Sequence, residues 1–225
     1  MNNLFCFVKF GKKEHLENLM LNGKMRFGAI ESFAQSEDKE RGDKYEGALE
    51  VANGQFSKIE YDHPKLGKFT FNPVPNTVGT FIVFTDEPYY SYSLYALNSN
   101  CFKEKDNHKI DKRMIEFGDY ALVINEPNIF LERVKEKLTN LNLISSYKLI
   151  EYKDYKEVGT IINTNLFSKT KDLQHQFEHR ILIKTEKKVN EIFIEIGSIE
   201  NFCFLSKTEE ILQAEFTARR KKTEK

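Results

Sequence analysis

The apolar positions of this chain fall into short runs with strand and helix spacing. Leu4-Phe5-Cys6-Phe7-Val8-Lys9-Phe10 is almost entirely apolar, as a strand covered on both faces requires. Gly11 ends it. Leu16, Leu19 and Met20 then share one helical face, and Asn22-Gly23 is a helix stop. Met25 to Ile30 predicts a second strand. The charged stretch Ser36 to Gly47, with Arg41-Gly42-Asp43 inside it, predicts a loop. Gln55 to Tyr61 and Lys68 to Phe71 alternate as two short strands, with His63-Pro64 and Gly67 as the turn between them. Asn72 to Asn76, with two prolines, is a connector. Thr80 to Thr85 is a strong strand, broken by Asp86-Glu87-Pro88.

Tyr89 to Leu97 is aromatic and predicts the start of a helix; Cys101 to Lys112 is polar and predicts a surface excursion. Tyr120 to Ile124 is a strand. Asn125-Glu126-Pro127 opens a helix whose buried face is Phe130, Val134, Leu138 and Leu141. Lys148 to Tyr152, Arg180 to Lys184 and Glu191 to Ile196 predict three further strands. Ser206 and Glu209 have capping-box spacing before a last helix carrying Ile211, Leu212 and Phe216. Phe5, Phe7, Val83 and Ile183 are the expected core. The sum is an α+β chain, with one domain over residues 1–205 and a C-terminal helix and basic tail over 206–225.

Composition narrows the function. The 225 residues suffice for a buried core without disulfide or metal staples. With 19 Phe and 10 Tyr, many at alternate positions, that core favours sheet. Lys plus Arg and Asp plus Glu are both 34, so no overall basic excess drives binding to nucleic acid. The dense basic patch is the tail, Arg219 to Lys222. No apolar run approaches the roughly 20 residues of a membrane-crossing helix, so no membrane partner is expected. Cys6, Cys101 and Cys203 are odd in number and far apart, which reads as reduced thiols in a cytoplasmic protein. No G-x-G-x-x-G, P-loop, G-x-S-x-G or C-x-x-C occurs, which counts against Rossmann oxidoreductases, P-loop NTPases and α/β-hydrolases.

Three constellations carry chemistry. If a strand begins at Gln176, then Gln176, Glu178 and Arg180 face one way. A polar row leading into core sequence is costly to bury without a function; the plainer reading is an exposed strand end with a Glu–Arg pair. His175-Gln176-Phe177-Glu178-His179 also satisfies H-x-x-E-H, the pattern of a zinc hydrolase with two His ligands and a catalytic Glu, which needs a helix. In Phe84 to Ser93, hydroxyls and rings interleave, so Tyr and Ser could stack on a flat ring and hydrogen-bond its substituents. An aromatic mini-core is the plainer reading there.

The order of motifs resembles an uncharacterised bacterial family that looks like a divergent branch of the ADP-ribosyltransferase fold. The pieces are Phe7-Val8-Lys9-Phe10, Asn22-Gly23-Lys24-Met25-Arg26-Phe27, Asp43 with Glu46-Gly47, Val83-Phe84-Thr85, and Phe167-Ser168-Lys169 followed by Gln176-Phe177-Glu178-His179-Arg180. The resemblance spans about residues 4 to 200. It implies two small, roughly perpendicular sheets with flanking helices and NAD in the cleft between them. It also implies a basic residue on the first strand, a Ser, Thr or Tyr in the middle, and a Glu within Q-x-E. The matching positions are Lys9, where the fold usually has Arg or His; Thr85 with Tyr90 or Tyr92; and Glu178 preceded by Gln176. The implied catalytic pair is Glu178 and Gln176. The implied NAD-binding set is Lys9, Phe10, Arg26, Phe27, Thr85, Tyr90, Ser91, Tyr92 and Arg180. Arg41 and Asp43 are loop organisers first. Arg180 is alternatively structural, paired to Glu178 or to a loop carboxylate such as Asp43. The implied activity is transfer of ADP-ribose from NAD, without a metal, to RNA or protein by a toxin or phage-defence effector. Such a toxin implies a neutralising protein partner. A non-catalytic nucleotide-binding module of the same fold is the alternative.

Overall fold

The first apolar run forms β1 (Leu4–Gly11), paired on both edges, with Phe7 and Val8 wholly buried on opposite faces. A computed structural model of the chain describes residues 3–56, 58–63, 65–72, 78–186 and 188–218. The basic tail Arg219 to Lys222, Pro64 of the expected turn and the prolines of the connector lie outside the described residues. Next comes α1 (Lys13–Asn22), burying Leu16 and Leu19. Gly23 ends it at φ 64°, and a Cβ there would stand 2.2 Å from the Gly197 carbonyl oxygen, so the stop needs glycine.

The chain continues through β2 (Lys24–Ala29), α2 (Ile30–Ala34), β3 (Ala48–Gln55), β4 (Ile59–His63), β5 (Gly67–Phe71), β6 (Val78–Phe84) and β7 (Tyr89–Asn98). Then come β8 (Asn107–His108), β9 (Tyr120–Ile124), α3 (Pro127–Asn140), β10 (Ile144–Leu149), β11 (Glu151–Lys153), β12 (Thr160–Asn163) and β13 (Ser168–Thr170). The last elements are β14 (Glu178–Lys184), β15 (Glu191–Glu195), β16 (Cys203–Lys207), α4 (Thr208–Gln213) and β17 (Phe216–Thr217). The main sheet is antiparallel, in the order β10-β14-β7-β1-β9-β16, with β2 and β15 branching from β7. A smaller sheet runs β12-β3-β6; β4 pairs β5, β8 pairs β17, and β11 pairs β13 in parallel. This is a mixed α+β architecture of several sheets, most of them antiparallel, and few helices.

One feature of the main sheet positions the site. β14 covers one edge of β7 from Tyr89 to Tyr95. The other edge of β7 is divided: Tyr90 and Ser91 pair with β2, and Tyr95 to Asn98 pair with β1. β1 and β2 therefore part company between Ser91 and Tyr95, and a fork opens there.

Each face of the main sheet has a core. One joins Phe7, Tyr92, Leu94, Ile181 and Ile183 to α1 and to Phe130, Val134 and Leu138 of α3. The other joins Val8, Phe10, Tyr95 and Leu97 to Phe102, Ile110 and Ile211. Both cover β7, so its alternating residues are buried on each side. That is why Tyr89 to Leu97 is strand rather than the expected helix: its tyrosines and leucines fill a pleated surface covered on both faces. Cys101 to Lys112 is likewise no mere excursion, since Phe102 and Ile110 are buried. Ala48 to Gln55 is a strand where none was expected, and Lys148 to Tyr152 is divided between β10 and β11. The last cap is shifted by one residue, with Glu210 rather than Glu209 accepting from the Lys207 N–H at 3.3 Å. Phe5 is 45% exposed and Val83 half-buried, whereas Phe7 and Ile183 are fully buried.

Truncation separates these cases. Phe7→Ala is expected to cost about 3–5 kcal/mol of unfolding free energy, and Phe5→Ala under about 1–2 kcal/mol, because a cavity forms only at the enclosed ring. Denaturant titration of both variants checks this.

Candidate functional site

The fork is filled by a lysine. Beyond Val8, β1 no longer pairs with β7, and the Lys9 Nζ donates to the carbonyl oxygen of Ser93 at 2.7 Å while lying 4.3 Å from the centre of the Tyr92 ring. Burial pushes the Lys9 amine down to about 8, with Glu178 pulling it upward and Arg26 and Arg41 downward. Across the neighbouring strand, the Ser93 Oγ donates to Glu178 Oε1 at 2.6 Å. Lys9, Ser93 and Glu178 thus form one line of contacts over three adjacent strands, β1, β7 and β14.

Glu178 and Arg180 share one face of β14, as two-residue periodicity requires. Arg180 is wholly buried. Its Nε donates to Glu178 Oε1 at 2.8 Å, its Nη1 to the Leu166 carbonyl at 2.6 Å, and its Nη2 to Glu46 Oε2 at 3.1 Å. Lys169 of β13 adds a second buried cation: its Nζ lies 2.8 Å from Glu178 Oε2 and donates to Gln176 Oε1 at 2.9 Å. Burial works against the charge of Glu178, but Arg180 and Lys169 outweigh it and hold the carboxyl well below the usual carboxylate range. For Glu46 the balance is reversed. Burial raises its carboxyl, and Arg180 and Lys169 offset this only in part. The backbone N–H of Glu178 donates to the Tyr152 hydroxyl at 2.9 Å, so the strand end is fixed as well as the side chain.

The structure starts this strand at Glu178, not Gln176. Phe177 has φ 40°, a left-handed conformation rare for so bulky a residue. Its ring packs 5.8 Å from Tyr95 and 5.1 Å from His108, which holds the turn. Gln176 still reaches Glu178, but through Lys169, and its Nε2 donates to the Glu40 carbonyl at 2.6 Å. Both ends of its amide are engaged. The loop expected over Ser36 to Gly47 is present. Asp43 organises it, accepting from the backbone N–H groups of Tyr45 and Thr170, each at 3.0 Å. The loop carboxylate paired with Arg180 is Glu46 rather than Asp43.

These groups line a cleft of about 920 Å³, within the range of cofactor sites. Lys9, Phe10, Ser91, Tyr92, Gln176, Glu178 and Arg180 all reach it, and Arg26 stands at its exposed side, 3.5 Å from Glu191. Phe27 is fully buried against Tyr92, ring centres 5.5 Å apart, and lies in the core rather than in the lining. Thr85 and Tyr90 line a different, smaller cleft of about 390 Å³.

No family model, curated protein or solved structure matches the chain.

The helix required by H-x-x-E-H is absent. His175 lies in a 3₁₀ turn with Nε2 2.7 Å from Glu40 Oε2. His179 is in β14, against the Phe7 ring at 5.0 Å, and burial pushes its imidazole down to about 4. Among the described residues no group of three or more His, Cys, Asp or Glu side chains is placed to hold a metal ion.

Sequence reasoning did not select Ser93, Lys169 or Glu46. The Tyr-Ser alternation of residues 89–93 carried the signal for Ser93, once read as a strand. Lys169 and Glu46 stood in quoted motifs without a role.

The charge balance has a measurable consequence. Glu46 and Glu178 match Arg180 and Lys169, so Glu178→Gln leaves one buried cation without a counterion. A loss of roughly 3–5 kcal/mol in stability is expected. Glu178→Gln with Lys169→Met restores neutrality and should recover most of it, as thermal or denaturant unfolding would record.

Proposed function

We propose that the protein is an NAD-dependent ADP-ribosyltransferase, moving ADP-ribose from NAD to a macromolecule, RNA or protein, with an ADP-ribosyltransferase-like fold. The observation that carries this reading is the line Lys9–Ser93–Glu178 at the fork. Its three strands supply the basic, hydroxyl and acidic groups that the resemblance calls for. Ser93 takes the middle position in place of Thr85.

Cleavage of the nicotinamide–ribose bond builds positive charge on the sugar, and a fixed carboxylate stabilises that charge. Glu178 is ionised and fixed. A carboxylate has about four lone-pair positions. Ser93, Arg180 and Lys169 use three, which leaves one for a ribose hydroxyl. Lys9, with Arg26 and Arg41 beside it in the lining, suits a pyrophosphate. A non-catalytic nucleotide-binding module is the second reading, favoured by the engagement of both ends of the Gln176 amide. A toxin of this kind would be held in check by a neutralising protein.

The test is transfer of label from adenylate-labelled NAD in a lysate, before and after ribonuclease. Wild type should label a macromolecule. Folded Glu178→Gln should do so at least roughly 10²-fold more slowly, and equal transfer by that variant would sink the reading. NAD bound without nicotinamide release would favour the binding module.

Lys9 gives a pH signature. An anionic ligand needs the ammonium form, so NAD affinity should fall as pH rises through about 8. One charge-assisted hydrogen bond corresponds to roughly a 10- to 100-fold change. Lys9→Arg, charged throughout, should remove the pH dependence in calorimetric titrations.

A further inference from the structure

Lys169 balances charge, but its hydrogen-bonding capacity is not used up. It sits in the middle of β13, and the backbone there is pinned on two sides. Tyr152 of β11 is its partner in register, and the next N–H, that of Thr170, is held by Asp43 at 3.0 Å. The side chain is 7% exposed, yet it lines the larger cleft. An ammonium has three N–H donors. One faces Glu178 Oε2 at 2.8 Å and one donates to Gln176 Oε1 at 2.9 Å. Among the described residues the third has no acceptor. Gln176 is itself held, because its Nε2 donates to the Glu40 carbonyl. Two fixed acceptors leave a tetrahedral ammonium no freedom to turn, so the direction of the third N–H is set as well.

Glu178 has the complementary gap. Each carboxylate oxygen offers two lone pairs. Oε1 spends both, on the Ser93 hydroxyl at 2.6 Å and the Arg180 Nε at 2.8 Å. Oε2 spends one, on Lys169. The open lone pair therefore lies on the oxygen that Lys169 holds. A spare acceptor and a spare donor stand 2.8 Å apart in the lining of one cleft.

We propose that Lys169 is a second ribose-binding residue of the site: Glu178 Oε2 accepts from the 2′-hydroxyl of the nicotinamide ribose, and Lys169 Nζ donates to the 3′-hydroxyl beside it. This rests on the reading of the cleft as the NAD site. Two hydroxyls on one face of a ribose ring stand about a hydrogen-bond length apart, as the donor and acceptor do. One hydroxyl serves the pair less well. The N–H bonds of an ammonium diverge, and a triangle of three short contacts would bend them, whereas a second hydroxyl closes a four-membered ring of straighter bonds. The pair is also selective. With a donor molecule lacking the 3′-hydroxyl, a buried N–H stays unpaired, and a site built to bond a hydroxyl rejects such an analogue. Gln176 then works through Lys169, aiming the ammonium instead of touching an acceptor.

The experiment uses the full chain and three substrates: NAD, and NAD lacking either the 2′- or the 3′-hydroxyl of the nicotinamide ribose. Nicotinamide release gives kcat/KM for each, and the quantity read is the ratio of NAD to each analogue. Comparing ratios between variants cancels the different intrinsic lability of the three substrates. Lys169→Met should lower the 3′ ratio roughly 10- to 100-fold, the worth of one hydrogen bond to a charged group, and leave the 2′ ratio in place. A merely structural lysine would lower all three rates alike and move neither ratio. Lys169→Met leaves a buried carboxylate without a counterion, so Lys169→Met with Glu46→Gln, in which Arg180 and Glu178 balance, carries the test where the single variant does not fold. An unchanged 3′ ratio, or a fall confined to the 2′ ratio, overturns the assignment while NAD cleavage stands. No nicotinamide release from wild type overturns the NAD reading, and this inference with it.

Discussion

A buried guanidinium must be fully paired or it cannot be buried at all, and the architecture around Arg180 satisfies that condition. Its partners come from three separate places in the chain: Glu178 on the same strand, Glu46 in the loop before β3, and the Leu166 carbonyl beside β13. Meeting that one demand fixes the loop against the sheet and brings β13, with Lys169, alongside. Lys169 then requires its own acceptors, and Gln176 and Glu178 are those. The polar centre is a closed set of mutual obligations inside an apolar frame.

The frame itself was largely legible. β1, α1, β9 and α3 follow from apolar periodicity, because each buries one face or both against the cores. β7 was not, since aromatic residues at every other position suit a helix start or a strand until the covering layers are known. Leu49 to Gly54 offered small and polar residues with weak alternation, so β3 draws its stability from β6 and β12 rather than from local preference. The polar row at Gln176, Glu178 and Arg180 was visible, but the left-handed Phe177 was not. A non-glycine residue takes that conformation only when surroundings such as Tyr95 and His108 enforce it.

The site was legible in its acid and less so in its neighbours. Glu178 and Lys9 lie in motifs, and both reach the larger cleft. Thr85 and Tyr90 lie on the other cavity because β2 pairs with β7 at Ala29–Tyr90 and Gly28–Ser91, which puts a ladder between them and the fork. Glu46 and Lys169 acquire their meaning only from contacts across more than a hundred residues or between adjacent sheets, which no local pattern encodes.

The divided edge of β7 also bears on how the molecule is made. The line Lys9–Ser93–Glu178 spans separations of 84 and 85 residues, and the Arg180–Glu46 pair spans 134. Contacts so distant form after the local ones, since loop closure must precede them. A nascent chain whose β14 is still within the ribosome has β1, β2 and β7 available but lacks the carboxylate that completes the cleft. The polar centre of the cleft is therefore incomplete until β14 joins β7, however early β1, β2 and the Glu46 loop are made.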